Sequence, residues 1–401
     1  MQPGSFPARQ AVLERFLQIL SSERLNQAYL FVGPEGAGKE NTALEIARQA
    51  NCPRQPVCSA HTSHLCESCL KAVTFQHPDI RWLGPAPATA TADVVRGVLD
   101  AKRENPFYQP EFAATSQVTI GSPDDPGPLT VRSLLRFLRV RAFQGRYKIA
   151  ILADAHRMNA GAANAFLKTL EEPPPDSLIF LLTSNRAGIL PTIVSRCQQI
   201  RFDLYEEQEL AELLVRLTGV DLARARGVAR AADGNGRKAM ALLTPQALAL
   251  QNWAHHILDW VHTCRADLLH MTADQLHGGI IPEEMAKQTD QAKLTVAKDH
   301  PARRDRTIQL CEMLILYYSE LLTSRACRGA WRPRLPAAAD HLQDMSRLRD
   351  TRSLLHDIAS IEAVKRDIDS NLNIGLTMAV LFEGLIDHAQ RDQTASQRAE
   401  A

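Results

Sequence analysis

A glycine-rich stretch, GPEGAGKE, carries the residue types that cradle phosphate groups in nucleotide-binding loops. Its candidate binding residues are Gly33, Gly36, Gly38 and Lys39. Glycines let backbone N–H groups approach phosphates closely, and the lysine reaches the outer phosphates. The next position, where such loops place a Ser or Thr hydroxyl on Mg²⁺, is Glu40. A carboxylate there repels a triphosphate, so the stretch predicts a phosphate-loop fold with altered chemistry.

A second acidic position bears on the same chemistry. The apolar run YKIAIL leads into Ala153 and Asp154, where hydrolysing enzymes place Asp and then Glu to hold Mg²⁺ and position the attacking water. Alanine cannot ligate a metal, and aspartate is one methylene short for the second role. We therefore expect no hydrolysis by this chain. Two interpretations fit the sequence: a loop that binds nucleotide without turnover, and a loop retained for its fold.

Four of the eight cysteines lie close together, spaced C-x5-C-x7-C-x2-C. These are Cys52, Cys58, Cys66 and Cys69. Four thiolates with a closing C-x-x-C are typical of a tetrahedral structural zinc site, which leaves no open position for catalysis. His61 and His64 are alternative ligands for one thiol, and four unmetallated thiols are the other interpretation.

The elements around these residues predict an α/β fold with a parallel sheet. AYLFVG precedes the glycine loop as a strand, and KENTALEIARQA follows it as a helix. Further apolar strands alternate with helices as far as CQQIRFD, a pattern typical of a parallel sheet covered on both faces. Beyond residue 204 the strand patterns end and helical patterns dominate.

From these patterns we predict four regions. Residues 1–203 form the phosphate-loop domain, with a zinc knob at 51–70. A proline-rich, irregular insertion occupies 84–128, and ADVVRGVLDAKREN within it is a candidate helix. Residues 204–246 form a small helical domain, and 247–389 form an all-helical domain. Residues 390–401 have too little apolar surface to fold alone and form a disordered tail.

Composition narrows the class of protein. A chain of 401 residues suits two or three domains, and a net charge of +1 argues against a free-standing nucleic-acid binder. We find no signal peptide and no apolar run near the ~20 residues that a membrane span needs. Eight cysteines without a secretory signal indicate reduced thiols and a cytoplasmic location.

Several longer motifs carry a family resemblance. After the glycine loop and the cysteines come HPD, AANAFLKTLEEPP, SRC and GNGRKAM. Together they resemble the bacterial DNA polymerase III clamp-loader family, a branch of the AAA+ ATPases. The resemblance implies an AAA+ module, a helical lid over 204–246 and a helical collar over 247–389 that oligomerises. Within the family, the altered magnesium positions resemble the delta-prime subunit rather than the ATP-hydrolysing gamma/tau subunit.

The resemblance also implies roles for further residues. Arg196 of SRC would be an arginine finger that reaches ATP held by a neighbouring subunit, and a planar guanidinium suits that role. Its alternative is a helix cap or a surface ion pair. TSN resembles sensor 1, in which Asn185 or Thr183 would orient a γ-phosphate, and Arg237 resembles sensor 2. These residues are structural remnants if no ATP binds.

The implied partners are the gamma/tau and delta subunits, the sliding clamp, and primed DNA through the assembled complex. Structural zinc is the expected cofactor, and magnesium-dependent ATP turnover is not expected. Two other functions stay open at this point. One is an ATP-hydrolysing gamma/tau subunit, and the other is a zinc-ribbon nucleic-acid-binding protein on an inert phosphate-loop scaffold.

Overall fold

The computed structural model of the chain describes residues 6–20, 26–54, 57–58, 64–87, 89–124, 127–278, 300–327, 330–335, 338–369 and 372–400. It divides into two compact units. The first comprises Met1–Val220 with Asp233–Met240, and the second comprises Asp221–Ala232 with Ala241–Ala401. This division differs from the predicted one, because the lid expected over 204–246 is shared between the two units.

The first unit contains a five-stranded parallel sheet. Its strands are β1 Ala28–Val32, β2 Ile80–Leu83, β3 Lys148–Leu152, β4 Ser177–Thr183 and β5 Gln198–Arg201. The strands lie in the order β2-β3-β4-β1-β5, and every neighbouring pair runs parallel. This arrangement confirms the predicted α/β class.

Helices make up most of the remaining part of the described chain. In the first part of the chain they are α1 Gln10–Leu20, α2 Lys39–Ala50, α3 Glu67–Val73, α4 Ala92–Glu104, α5 Val131–Leu138, α6 Ala160–Glu171, α7 Pro191–Val194 and α8 Glu207–Thr218. The later ones are α9 Leu222–Ala231, α10 Gly236–Leu242, α11 Pro245–His262, α12 Ala266–Gly278, α13 His300–Cys327, α14 Ala339–Leu348, α15 Thr351–Asp369 and α16 Ile374–Glu400.

The sheet is covered on both faces, as its continuous apolar strands predict. Every residue of β3 and β4 is buried. Ile149 and Ile151 of β3 join a core with side chains of α1 and α2, whereas Ala150 and Leu152 join a second core with α5 and α6. Alternate residues of one strand thus anchor helices on opposite faces.

The strand order brings the predicted nucleotide-site segments to one edge. β1 lies beside β4 with Val32 opposite Thr183, and β4 lies beside β3. The glycine loop, Asn185 and Asp154 directly follow these three strands. Because carboxyl ends of parallel strands share an edge, the segments converge there, where ligands bind in open α/β sheets.

The insertion at 84–128 contains a helix over the stretch that was its candidate helix. This is the 13-residue helix α4, which begins after Thr91, whose hydroxyl accepts a hydrogen bond from the Val94 N–H. Near its end, Lys102 is only 5% exposed. The prolines that suggested an irregular segment lie outside this helix, so they do not interrupt it.

The Asp79 carboxylate fixes the loop that leads into β3. It is fully buried and accepts hydrogen bonds from the N–H groups of Phe143, Gln144 and Gly145 at 2.8, 2.7 and 2.8 Å. Lys148 Nζ lies 2.9 Å from the same carboxylate. Burial acts to raise the pKa of Asp79, but these hydrogen bonds lower it to about 2.

Asp79→Asn is expected to lower the free energy of unfolding by ~3–5 kcal/mol, because it leaves Lys148 buried beside a neutral amide. The folded pKa lies below the ordinary value of 3.8, so wild type loses this stabilisation as pH falls from about 4 toward 2. Urea unfolding across that range should show a weaker acid dependence for the variant. Asp93→Asn, at an exposed carboxylate, is the control. Equal stability of Asp79→Asn and wild type would contradict the assignment.

The second unit consists of helices joined by loops in its described part. Helices α11 to α16 share one apolar core that includes Trp253, Leu314, Tyr318, Ile361 and Phe382. Tyr318 and Leu314 are fully buried in the long helix α13. The all-helical character predicted for this part of the chain is thus observed.

Helix α16 extends to Glu400, where a disordered tail over 390–401 was predicted. Polar contacts hold this part of the helix. Asp392 is buried and accepts hydrogen bonds from Arg349 Nε at 3.0 Å and Ser353 Oγ at 2.8 Å. Gln393 donates to the His262 carbonyl at 2.7 Å. Because these contacts are polar, the low apolar content of residues 390–401 did not predict them.

Candidate nucleotide pocket and cysteine cluster

The glycine loop has the backbone shape that its sequence predicts. Gly36 and Gly38 have φ values of +72° and +80°, which other residues rarely adopt. A Cβ at Gly36 would lie 1.9 Å from Asn235 Oδ1, and a Cβ at Gly38 would lie 2.0 Å from the Tyr205 hydroxyl. Both conformation and space therefore require glycine here.

Lys39 folds back onto the loop. Its Nζ donates to the carbonyl oxygens of Gly33 and Pro34, each at 2.6 Å. Burial lowers the pKa of Lys39 to about 8, although Asp154 and Glu35 act to raise it. The ammonium that would reach phosphates is thus held by the protein's own carbonyls.

Glu40, at the magnesium position, pairs with a lysine from the insertion. Lys102 Nζ of α4 lies 2.7 Å from Glu40 Oε1 and donates to the Tyr108 carbonyl at 2.9 Å. It also lies 5.0 Å from the centre of the Trp82 ring. A buried cation therefore neutralises the carboxylate that replaces the hydroxyl.

A glutamine from the same insertion bridges two other predicted site residues. Gln109 Nε2 donates to Asp154 Oδ2 at 3.0 Å, and its Oε1 accepts from Arg237. Arg237 also pairs with Glu35 at 2.9 Å. Asp154 has a φ of +47°, a conformation that is uncommon outside glycine. The predicted sensor arginine is thus engaged by neighbouring side chains.

Little space is left between these groups. The cavity lined by the loop, Ala153, Asp154, Arg237 and insertion residues 106–110 has a volume of about 100 Å³. Pockets for drug-sized ligands measure ~300–1,000 Å³. Gly36, Gly38, Lys39, Asp154 and Arg237 do come together here, as predicted, but side chains of the insertion occupy the room a nucleotide would need.

Asn185 has a local partner. Its side chain accepts a hydrogen bond from the Gly188 N–H at 3.2 Å, which caps the short 3₁₀ turn Arg186–Gly188. Thr183, which ends β4, hydrogen-bonds to the backbone of Asn185 and lies 3.1 Å from His156 Nδ1. In this arrangement the predicted sensor residue has a structural role.

The four clustered cysteines converge as their spacing predicts. The sulfurs of Cys52, Cys58, Cys66 and Cys69 all lie within 4.8 Å of one another. The Cys52 and Cys66 sulfurs are 3.9 Å apart. Zinc–sulfur bonds of ~2.3 Å at tetrahedral angles hold sulfurs ~3.8 Å apart, so the donor set fits zinc. Held by four thiolates, zinc would supply folding energy and have no open position for substrate.

Hydrogen-bond donors surround the sulfurs. The N–H groups of Cys66 and Cys69 lie 3.4 and 3.5 Å from the sulfurs of Cys58 and Cys66. Burial acts to raise the pKa of Cys58, but hydrogen bonds from Cys66 and the neighbouring thiols lower it to about 7. The alternative ligand His64 is exposed, and His61 lies outside the described residues.

A buried arginine completes the cluster's surroundings. Arg48 of α2 is fully buried, and its Nη1 donates to Cys69 Sγ at 3.1 Å. Its other nitrogens contact Glu45 at 2.8 and 2.6 Å. Four thiolates around one Zn²⁺ carry a net charge of −2, so the guanidinium offsets excess negative charge.

Arg196 lies on the surface of the first unit, just before β5. Its Nη2 lies 2.7 Å from Glu171 Oε1, and its Nη1 donates to the Thr192 carbonyl at 3.0 Å. The side chain is 35% exposed. Within the single chain, the guanidinium therefore has the surface ion pair that was its alternative role.

Side chains of the insertion also line the pocket, and their presence there was not predicted from the sequence. Among them are Lys102, Phe107, Tyr108 and Gln109. The one signal was Glu40, since a carboxylate near a buried site needs a cation. Nothing in the sequence indicates which of the many lysines and arginines supplies it.

Comparison with known proteins now identifies the family. Residues 8–206 match the family model described as "DNA polymerase III, delta subunit". The DNA polymerase III gamma/tau subunit of Mycobacterium tuberculosis is 33% identical over 233 residues, which cover 56% of this chain and 33% of that protein. Residues 8–206 of the chain belong to the DNA polymerase III clamp-loader family of AAA+ proteins.

Clamp-loader relatives of both kinds are similar to this chain. The delta' subunit of Bacillus subtilis is 26% identical over 204 residues, covering 51% of this chain and 50% of that protein. The delta' subunit of Pseudomonas aeruginosa is 32% identical over 172 residues, covering 43% and 42%. The chain therefore spans between one third and one half of the length of these clamp-loader relatives.

A structural relative and the membrane-spanning potential of the helices complete the comparison. A solved gamma subunit-related protein of Thermotoga maritima aligns with a TM-score of 0.39 at 16% identity, covering 94% of this chain and 99% of that one. Among the residues that the structure describes, no helix has the length and apolar character to cross a membrane.

Proposed function

We propose that this chain is the delta-prime subunit of a DNA polymerase III clamp loader, a largely non-hydrolysing member of the complex. The observation that carries the proposal is the state of its own nucleotide pocket. Both magnesium positions are altered, to Glu40 and Ala153, and Lys102 and Gln109 of the insertion occupy the space beside them. Such a site lacks the groups that bind Mg²⁺ and so neutralise the charge of a triphosphate.

In the assembled complex, the subunit contributes a surface cation and a docking scaffold. Arg196 is offered to ATP held by an adjacent gamma/tau subunit, where a planar guanidinium stabilises the charge that develops on the transferred phosphoryl group. The delta subunit, the sliding clamp and primed DNA are its further partners in the cytoplasm. Asn185 and Arg237 act as structural residues, because their side chains already have partners in this chain.

A gamma/tau subunit that hydrolyses ATP is the second candidate. The 33% identity to the Mycobacterium tuberculosis gamma/tau subunit favours it. Against it stand the two altered magnesium positions, which are specific to the chemistry rather than to overall similarity.

The isolated, untagged chain is expected to show no Mg²⁺-dependent ATP turnover above background, since it lacks two contacts to the metal. Steady-state ATPase assays measure this, with the gamma/tau subunit of the same organism as positive control. In the reconstituted complex, Lys39→Ala should keep clamp loading within about twofold of wild type. Clear turnover by the isolated chain would favour the gamma/tau assignment, and a large loading defect in Lys39→Ala would show that the pocket uses nucleotide.

A further inference from the structure

A second group of metal-type ligands lies in the helical unit. α11 carries His255 and Asp259 four residues apart, so both side chains lie on one face of the helix. α14 carries His341 opposite them. The donor atoms of these three residues all lie within 4.8 Å of one another.

The Asp259 carboxylate lies between the two imidazoles. One of its oxygens is in hydrogen-bond contact with His341 Nε2, and the other lies 3.9 Å from His255 Nε2. The two imidazole rings are 5.0 Å apart between centres. A zinc-type ion ~2.0–2.2 Å from each donor holds its ligands ~3.4 Å apart, so shifts of less than about 1 Å in side-chain position would complete such a site.

Charge and exposure also suit a metal ion. The side chains of His255, Asp259 and His341 are 31%, 32% and 43% exposed, so an ion can enter from solvent. In the described part of the chain, the ion-pair partners of the Asp259 carboxylate are these two histidines.

Among the described residues of this unit, a second histidine–carboxylate group differs in the ion-pair partners of its carboxylate. His356, Asp357 and His388 also cluster within 4.8 Å. There the Asp357 carboxylate is fully buried and pairs with the Arg349 guanidinium, which already neutralises it. A cation would have to displace this arginine, so the first group is the better site.

We propose that His255, Asp259 and His341 bind one divalent transition-metal ion of the zinc–nickel type, which joins α14 to α11. Two imidazoles and a carboxylate are borderline ligands that suit such ions, and a water molecule completes a tetrahedral shell. The ion stabilises the folded unit because its ligands are brought together only there.

The test uses the untagged chain loaded with one equivalent of zinc for the cysteine cluster, and metal analysis establishes this starting content. Calorimetric titration with Ni²⁺ should show one equivalent of binding, and thermal unfolding should move to higher temperature as Ni²⁺ is added. His341→Ala and Asp259→Asn should each weaken this binding at least ~tenfold and remove the thermal shift. Titration with Co²⁺ should give a visible spectrum without a thiolate charge-transfer band, which separates this ion from any bound by cysteine.

His256→Ala is the matched control, since this neighbouring residue of α11 stacks on Trp260 with ring centres 6.0 Å apart. It should leave Ni²⁺ binding unchanged. Absence of Ni²⁺ binding to wild type, or equal binding by wild type and both ligand variants, would overturn the proposal. Either result would reduce the contact to an ion pair between Asp259 and His341.

Discussion

In a reconstituted clamp loader, Arg196→Ala is expected to slow ATP hydrolysis at the adjacent subunit's site by ~10³–10⁵-fold, the usual effect of losing an arginine finger. Assembly should be preserved, because Arg196 is 35% exposed and its ion pair with Glu171 is a surface contact of small energetic weight. Single-turnover ATP hydrolysis is measured in the presence of clamp and primed DNA. The amplitude of its fast phase should be lost in Arg196→Ala. Gel filtration measures assembly.

Three variants sharpen this experiment. Arg201→Ala removes an exposed arginine of β5 and should leave turnover unchanged. Arg196→Lys should not restore the rate, because an ammonium lacks the planar fork of the guanidinium. Glu171→Gln breaks the ion pair but keeps Arg196, so hydrolysis should persist. A normal fast phase in Arg196→Ala would end the finger assignment, even if delta-prime identity stood.

The second large effect concerns the cysteine cluster. Purified without chelator, the chain should contain one zinc held by cysteine, and Cys69→Ser should lose it, because Cys69 is fully buried and has the Arg48 contact. Structural zinc contributes ~10–16 kcal/mol in small zinc-finger peptides. A unit with its own apolar core retains part of its stability, so we expect a loss of several kcal/mol from the free energy of unfolding.

Metal analysis and urea unfolding measure these two effects together. Cys327→Ser, at an exposed cysteine outside the cluster, should change neither the zinc content nor the stability. Full cysteine-bound zinc in Cys69→Ser, or a wild-type chain without cysteine-bound metal, would contradict the assignment of the knob.

Structural features that depend on one local pattern of residues were predictable from the sequence. Continuous apolar runs such as IAIL and LIFLLT gave the parallel strands, because burial on both faces leaves no alternation. The spacing of Cys66 and Cys69 indicated the cluster, because two ligands on one turn restrict where the others lie. Gly36 and Gly38 predicted the loop, because its backbone conformation requires glycine at these two positions.

Contacts between distant polar residues were not predictable. Lys102 meets Glu40 across 62 positions of chain, and no local pattern encodes that pairing. The same holds for Asp392, which keeps the end of α16 helical through Arg349. Such pairs depend on the final geometry of the fold, and one sequence offers many charged residues that could satisfy each of them.

The insertion's occupation of the phosphate-loop pocket couples two equilibria. Any anion that enters must first displace Lys102 and Gln109, and the displaced state exposes Glu40 without its cation. The apparent affinity for such an anion would then equal the intrinsic affinity multiplied by the fraction of molecules that are open. Linkage makes the relation reciprocal: substitutions that loosen α4 should tighten nucleotide binding, and a bound nucleotide should make α4 more accessible to proteases and to hydrogen exchange.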